Sequence, residues 1–446
     1  MDRSRQPNSR ISPNALRPKD TGYSLGAQAG YPPAGEQTNS FRRSPPPLFS
    51  PSYDTGRRSF LGLLAASAIA AATQARAAAP TLAILVDTVY TLAGLPIHSG
   101  VILVRAGKIT AVGTRLPVPA GAVVLRAAAV MPGIIDAHCH LGCLNEIDEP
   151  LDAVTPDLRI RDGFDTGDPA IGRAIRAGVT TACIMPGNGN AIAGQASLFR
   201  LGGTLSLLRG YAAQKLSMSA GNAQRNPTSR AGVIAIIRAA FDGARCGQAV
   251  SSVTQTDLLA GFPTRLDQRP AALMPVVRGE RPVFVHAQTS DDVENALGLF
   301  DAYHLKGCLL HASEAFELKE EIAKRRIPVV LGPLDFDDTD RTLSNAGKLA
   351  NAGVQVAFCS DAPLTDPASL RLSAAIAVRS GLAYEKALRA LTRTPAELLG
   401  IDRQTGSLQP GLDADLLLLN GDPLALTTGV EAVISGGAVA YRRKST

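Results

Sequence analysis

Val130-Met131-Pro132-Gly133-Ile134-Ile135-Asp136-Ala137-His138-Cys139-His140 is an apolar run that ends in two histidines with one residue between them. If Ile134 to His140 is a strand, positions two apart share a face. His138 and His140 then point together at its C-terminal end, as two imidazoles must to hold one metal. A lone histidine in an apolar strand is more often a core residue with one hydrogen bond. Here three further candidate ligands follow in similar settings, and they decide between the readings.

Past residue 131 the chain alternates between strand and helix patterns. Strands are expected at Val179–Met185, Pro282–His286, Cys308–His311, Pro328–Leu331 and Val354–Cys359. Helical spacing covers Ala170–Ala177, Ala231–Gly243, Asp291–Tyr303, Glu314–Arg326 and Leu343–Asn351. Repeated βα units imply a parallel sheet, and this number of them favours a closed (β/α)₈ barrel, or TIM barrel, of class α/β, with chemistry at the C-terminal strand ends. Short strands precede it (Leu82–Asp87, Val101–Arg105, Lys108–Val112, Val123–Leu125), and others follow it (Ala414–Leu419, Ala432–Ile434, Ala438–Tyr441). These two groups are expected to form a small β-sandwich domain built from both ends of the mature chain. The domain boundaries are 78–130 and 403–446 for the sandwich and 131–402 for the barrel.

The 446 residues carry a net charge of +6. Residues 1–77 hold ten Arg/Lys and four acids, so the totals of 45 and 39 fall to 35 each in the remainder. A neutral body offers no general nucleic-acid surface. Residues 1–54, rich in Pro, Ser, Gly and Arg, read as a disordered extension. Residues 55–77 read as an export signal: Arg57-Arg58 precede the apolar stretch Leu61–Ala72, and Ala75-Arg76-Ala77 is a small-x-small cleavage site. The stretch is too short to span a bilayer stably. The paired arginines with Phe60-Leu61 behind them resemble a twin-arginine signal. The expectation is a mature N-terminus at Ala78, passage through the twin-arginine export machinery, a periplasmic location and no membrane anchor after cleavage. Cys139, Cys143, Cys183, Cys246, Cys308 and Cys359 contain no CxxC pair, and the default for those in apolar runs is a buried small hydrophobe.

Three residues complete the constellation. His286 ends Val283-Phe284-Val285-His286, His311 ends Leu309-Leu310-His311, and Asp361 follows Val356-Ala357-Phe358-Cys359-Ser360. Four imidazoles and a carboxylate at strand ends suit zinc and related divalent ions. His98 and His304 lie outside such positions and are expected to be ordinary surface or loop residues.

In order and spacing these segments, with Pro132–His140, Ser360-Asp361-Ala362-Pro363 and Gly406–Leu416, resemble the metal-dependent amidohydrolase superfamily over nearly the whole body. Gly178-Val179-Thr180-Thr181 and Pro186–Gln195 look most like its imidazolonepropionase-related branch. The resemblance implies that His138, His140 and His286 hold the metal with Asp361, and that Asp361 is the general base. His311 would bind a second metal or hydrogen-bond the water or oxyanion. It also implies hydrolysis of a non-peptide carbon–nitrogen bond in a small-molecule substrate. The alternatives are a deaminase on the same site, or a barrel that has lost catalysis and binds a ligand. Binuclear relatives use a bridging carbamylated lysine or an acid from the fourth strand. Ser217–Asn222 has Asn222 where an acid is expected, which favours one ion, most simply zinc, over two. Lys215 nearby reads more simply as an exposed or salt-bridged lysine than as a bridge. Gly187–Gln195 reads as a pocket-lining loop, and Arg225 and Arg230 as surface residues rather than partners of a substrate carboxylate. A homo-oligomer is compatible with all of this.

Overall fold

The computed structural model describes residues 81–202, 204–219, 226–246 and 268–444. The extension, the export signal, Asn222 and Arg225 lie outside the described residues.

Seven strands form the first sheet, in the order β15-β14-β13-β4-β1-β2-β3. From the early part of the chain come β1 (Leu82–Val89), β2 (Ile97–Arg105), β3 (Lys108–Thr114) and β4 (Val123–Pro132). From the end come β13 (Leu416–Leu419), β14 (Val430–Ser435) and β15 (Ala438–Arg442). The two groups meet where β13 pairs antiparallel with β4, Leu416 opposite Pro132 and Leu419 opposite Ala129. Alternate residues of these strands, among them Ile84, Val86, Ile102, Val130, Leu416, Leu418 and Ile434, form one buried cluster. Both ends of the body thus join as expected, but in one continuous sheet. A second sheet to complete a sandwich is not present among the described residues.

Gly133 alone separates β4 from β5 (Ile134–Cys139), the first strand of an eight-stranded sheet ordered β5 through β12. Its other members are β6 (Val179–Ile184), β7 (Ile192–Arg200), β8 (Ser206–Ser217), β9 (Val283–His286), β10 (Gly307–Leu310), β11 (Val329–Leu331) and β12 (Val356–Phe358). The sheet departs from the expected all-parallel barrel at one place: β7 runs antiparallel to both β6 and β8. Antiparallel neighbours can be joined by a short turn where parallel ones need a crossover, so two hairpins replace two βα units. Ile192–Gln195, expected in a loop, belongs to β7.

Helices follow the other strands. They include α1 (Pro169–Ala177), α2 (Arg230–Cys246), α3 (Arg269–Val277), α4 (Ser290–Tyr303), α5 (Lys319–Arg325), α6 (Asp340–Asn351), α7 (Ser369–Arg379), α8 (Tyr384–Leu391) and α9 (Arg393–Leu398). Their ends carry the expected local chemistry. Asp168 caps α1 by accepting from Ala170 N, Pro169 opens the helix, and Gly178 closes it in the left-handed region at φ 101°. The helix expected over Glu314–Arg326 is split into a 3₁₀ turn at Ala315–Leu318 and α5. Among the described residues no helix is long and apolar enough to cross a membrane.

Strand alternation sorts the barrel side chains into two layers. Ile135, Ala137, Cys183, Leu198, Phe284, Leu310 and Cys359 pack together in one cluster. Ile134, Cys139, Val179, Val233, Val293 and Leu349 pack in another that includes the helices. Cys139 packs in the helix-side cluster although Ile135 and Ala137, two and four residues earlier, are in the other; the β5–β6 register shifts between Asp136 and Cys139. The barrel closes through the segment after β12: Asp361 N donates to His138 O (3.3 Å) and His140 N to Ala362 O (2.7 Å). Ser360 donates to the buried Asp136 carboxylate from both its backbone N–H (3.1 Å) and its hydroxyl. Burial pushes the Asp136 carboxyl up to about 7, against these bonds, which lower it.

Candidate metal centre

All five residues singled out in the sequence converge at the C-terminal mouth of the barrel. His138 lies on β5 and His140 just beyond it; His286 ends β9, His311 follows β10, and Asp361 follows β12. The ring centroids of His138 lie 4.8 Å from His140 and 5.4 Å from His311, and His286 lies 5.2 Å from His311. His138 Nδ1 is 2.7 Å from Asp361 Oδ1. His311 Nε2 is 3.3 Å from the same oxygen without the alignment of a hydrogen bond, and it is buried with no other partner. His311 and Asp361 both sit in the left-handed backbone region, at φ 64° and 55°. Such strain at non-glycine residues is held only where surrounding structure enforces it, and it clusters at functional sites.

A sixth group completes the cluster. Lys215 on β8 is fully buried, and its Nζ stands 3.0 Å from His138 Nε2. This corrects the expectation of an exposed or salt-bridged lysine. Burial brings its ammonium down to about 8, against the pull of Asp361, which raises it. His286 pairs with Ser217 through Nδ1 at 3.3 Å, and burial, then Lys215 and His311, lower its pKa to about 2. His140 Nδ1 donates to Met185 O at 2.8 Å, which leaves Nε2 as the lone pair of a neutral ring. Burial also lowers His138 and His140. Burial works to raise the Asp361 carboxyl, but the bond from His138 and the proximity of His311 outweigh it and hold it below the ordinary carboxylate range.

These are the protonation states a divalent cation requires: neutral imidazoles and an ionised carboxylate. The buried, unpartnered His311 Nε2 is costly without a ligand to satisfy it. The donor set therefore fits a metal. His138, His311, Asp361 and Cys359 each offer an atom within 4.8 Å of the others. Cys359 was not singled out as a ligand by the sequence; like Asp361 it lies just beyond β12. Its Sγ lies 3.5 Å and 3.4 Å from Leu331 O and Gly332 O, and burial pushes the thiol well up, so it serves packing as a protonated donor.

The surroundings sort the remaining candidates. Asp148 clasps the loop after β6: Gly189 N donates to its Oδ1 at 2.8 Å, and a Cβ on Gly187 would lie 2.4 Å from its Oδ2. Arg230 is turned outward to Asp291 (2.6 Å) and Asp292 (3.1 Å), a surface arrangement as expected. His98 pairs with Thr88, and His304 caps α4.

Residues 284–440 match the amidohydrolase family. In three dimensions the chain is similar to an amidohydrolase from Thermotoga maritima, with a TM-score of 0.72 and 28% identity over 81% of this chain and 100% of that one. The barrel is similar in fold to that amidohydrolase's. Among curated proteins the chain is 28% identical over 393 residues to amidohydrolase tasK of Hapsidospora irregularis, covering 76% of this chain and 40% of that relative's length. Imidazolonepropionase of Picrophilus torridus is 36% identical over 98 residues, 22% of this chain and 24% of that protein. The ligand-bearing strand ends β9, β10 and β12 fall inside the matched amidohydrolase segment; β5, with His138 and His140, lies ahead of it.

Proposed function

We propose that this protein is a metal-dependent hydrolase of carbon–nitrogen bonds other than ordinary peptide bonds in small molecules, acting on an amide or cyclic amide. The observation that carries the reading is the convergence of His138, His140, His286, His311, Asp361 and Lys215 at one barrel mouth. The family resemblance agrees with it. When bound, a divalent ion, most simply zinc, supplies an acidified water and polarises the substrate carbonyl.

The chain's own residues do the rest. Asp361 is the base. It is 17% exposed, so water reaches it, and it takes the proton of the attacking water and returns it to the leaving nitrogen. His311, 10% exposed at the mouth, offers its unpartnered Nε2 to the substrate oxygen or the water. His138, His140 and His286 would hold the ion, with Met185 O and Ser217 Oγ fixing two of their rings.

Asn222 motivates a single ion. One observation favours a second: Lys215 stands among the ligands, and burial, by bringing its ammonium down to about 8, raises the share of the neutral amine that takes up CO₂ as a carbamate. Metal analysis after loading with and without bicarbonate separates the two, with two equivalents per chain refuting the single-ion reading.

The decisive experiment is hydrolysis screening of metal-assayed protein with N-acyl amino acids, dipeptides and cyclic imides, alongside Asp361→Asn. A new carboxylate in the product supports amide hydrolysis, whereas ammonia release from an amidine supports the deaminase alternative. A protein that binds these compounds without turnover, unaffected by Asp361→Asn, is a binding protein. We also propose export to the periplasm with cleavage before Ala78. N-terminal sequencing of exported protein that begins upstream of Arg57 would refute this.

A further inference from the structure

Beside His311 the barrel mouth opens into a cavity of about 160 Å³ between the ends of β10 and β11 and the start of α6. At ~30 Å³ per water it holds about five waters, or a group of a few heavy atoms. His311 forms one wall, so whatever fills the cavity lies next to the reacting centre.

The lining holds one carboxylate and no cation; Gln288, Ser313 and Thr342 can donate or accept. Asn345 is buried, and its Nδ2 is committed to Ala312 O (2.9 Å) and Ser313 O (3.1 Å), which fixes the amide's orientation. Its Oδ1 faces no donor and is a buried, unpartnered acceptor. Asp338 contributes a carboxylate whose Oδ2 accepts from Asp335 N at 2.8 Å, while its Oδ1 has no bond among the described residues. Thr342 adds a hydroxyl, and Pro333 supplies no backbone N–H. No lysine or arginine lines the cavity. Asp338 is the carboxylate that lines the cavity; the segment that carries it, Asp335-Phe336-Asp337-Asp338-Thr339-Asp340, has four carboxyl side chains in six residues, and the next cation, Arg341, is paired with Glu317. A buried acceptor without a donor costs free energy until a donor reaches it, and a recess edged by one sign of charge concentrates the opposite sign.

We propose that this cavity is the subsite for an amine: a small ammonium or N–H-bearing group attached close to the scissile bond, as in an aminoacyl amide, and not a carboxylate or an acylated nitrogen. The assignment rests on the reading of the centre as a carbon–nitrogen hydrolase.

The test uses the metal-loaded full-length protein with L-alanine amides bearing a free α-amine, and with their N-acetyl counterparts carrying the same leaving group. The free amines should have the higher kcat/KM by about tenfold, the order of one hydrogen bond to a charged group. Asp338→Asn and, separately, Thr342→Val should shrink that ratio, chiefly through KM. Equal or better turnover of N-acetyl or acidic substrates by the wild type overturns the proposal, as does an unchanged ratio in folded Asp338→Asn protein. If no amide is cleaved, it is the hydrolase reading that fails. The subsite is then judged by calorimetry with L-alaninamide and N-acetyl-L-alaninamide. Tighter binding of the free amine, weakened by Asp338→Asn, supports it; equal binding refutes it.

Discussion

Gly133→Ala tests whether the joint between the two sheets sets the position of the histidine pair. Gly133 N donates to Asp415 O at 2.9 Å, and the next residue, Ile134, donates to Gly178 O at 3.0 Å, so the backbone is pinned on both sides. A Cβ at residue 133 would lie 2.2 Å from Thr180 Oγ1, 2.4 Å from Thr180 Cγ2 and 2.8 Å from Thr180 Cβ. Carbon atoms rest at ~3.5–4.0 Å. Turning Thr180 about χ1 moves its hydroxyl and methyl but leaves its Cβ too close, so β5 and β6 must separate.

That places the substitution at the costly end of overpacking, about 3 kcal/mol. With an unfolding entropy of ~2.1 cal/mol/K per residue over roughly 360 residues, the melting temperature should fall by about 4 °C. The assay is a thermal melt of Gly133→Ala, Thr180→Gly and the double variant at one scan rate. Removing the Thr180 side chain should relieve the clash, so the double variant should be more stable than additivity allows by about 1 kcal/mol or more. Because Gly133 lies five residues before His138, Gly133→Ala should also lower bound metal. A single variant melting within about 1 °C of wild type would refute the argument from close approach.

Asp361→Asn should keep the fold by circular dichroism and lower kcat by about 10²- to 10⁴-fold, the range for loss of a general base. Lys215→Met should remove a buried amine without opening a large cavity; if the lysine supports a second ion, metal analysis will show one equivalent fewer than in the wild type. Burial works to raise the Asp413 carboxyl, but Lys108 at 2.5 Å and Arg200 overcome it and leave it below its ordinary value. A carboxyl lowered in the folded state contributes stability above its unfolded value of 3.8 and loses it as pH falls through the folded one. Asp413→Asn should therefore cost up to about 1 kcal/mol at pH 7, discounted for partial exposure, and acid denaturation below pH 4 should be correspondingly flatter in the variant.

The barrel and its ligands were legible because they lie where two signals coincide. Val283-Phe284-Val285-His286 and Leu309-Leu310-His311 are apolar runs that end in a polar, chemistry-bearing residue, the order that the C-terminal edge of a parallel sheet calls for. The joining of the chain's two ends could be read from matched sets of short strands. That they make one sheet depended on the pairing of β13 with β4, a contact between residues nearly 300 positions apart.

What the sequence concealed lies in β7 and β8, and the reason is physical. A strand buried on both faces loses the period-two alternation that identifies it. In Ala212-Ala213-Gln214-Lys215-Leu216-Ser217 every side chain is buried, the polar ones included. Gln214 faces Tyr211, whose hydroxyl donates to its Oε1 at 2.7 Å, while Lys215 reaches His138. Read alone, Gln-Lys looks like a solvated turn; with the partners in view, both side chains fill the interior. The same holds for Asn345, which reads as an ordinary polar position on α6 until its amide is seen holding the strained turn at His311 and Ala312. Polar residues mimic surface wherever the groups that satisfy them come from distant segments, and a barrel mouth brings such segments together. Lys215 and Asn345 share that property, and each stands within reach of a ligand histidine or of the cavity beside one.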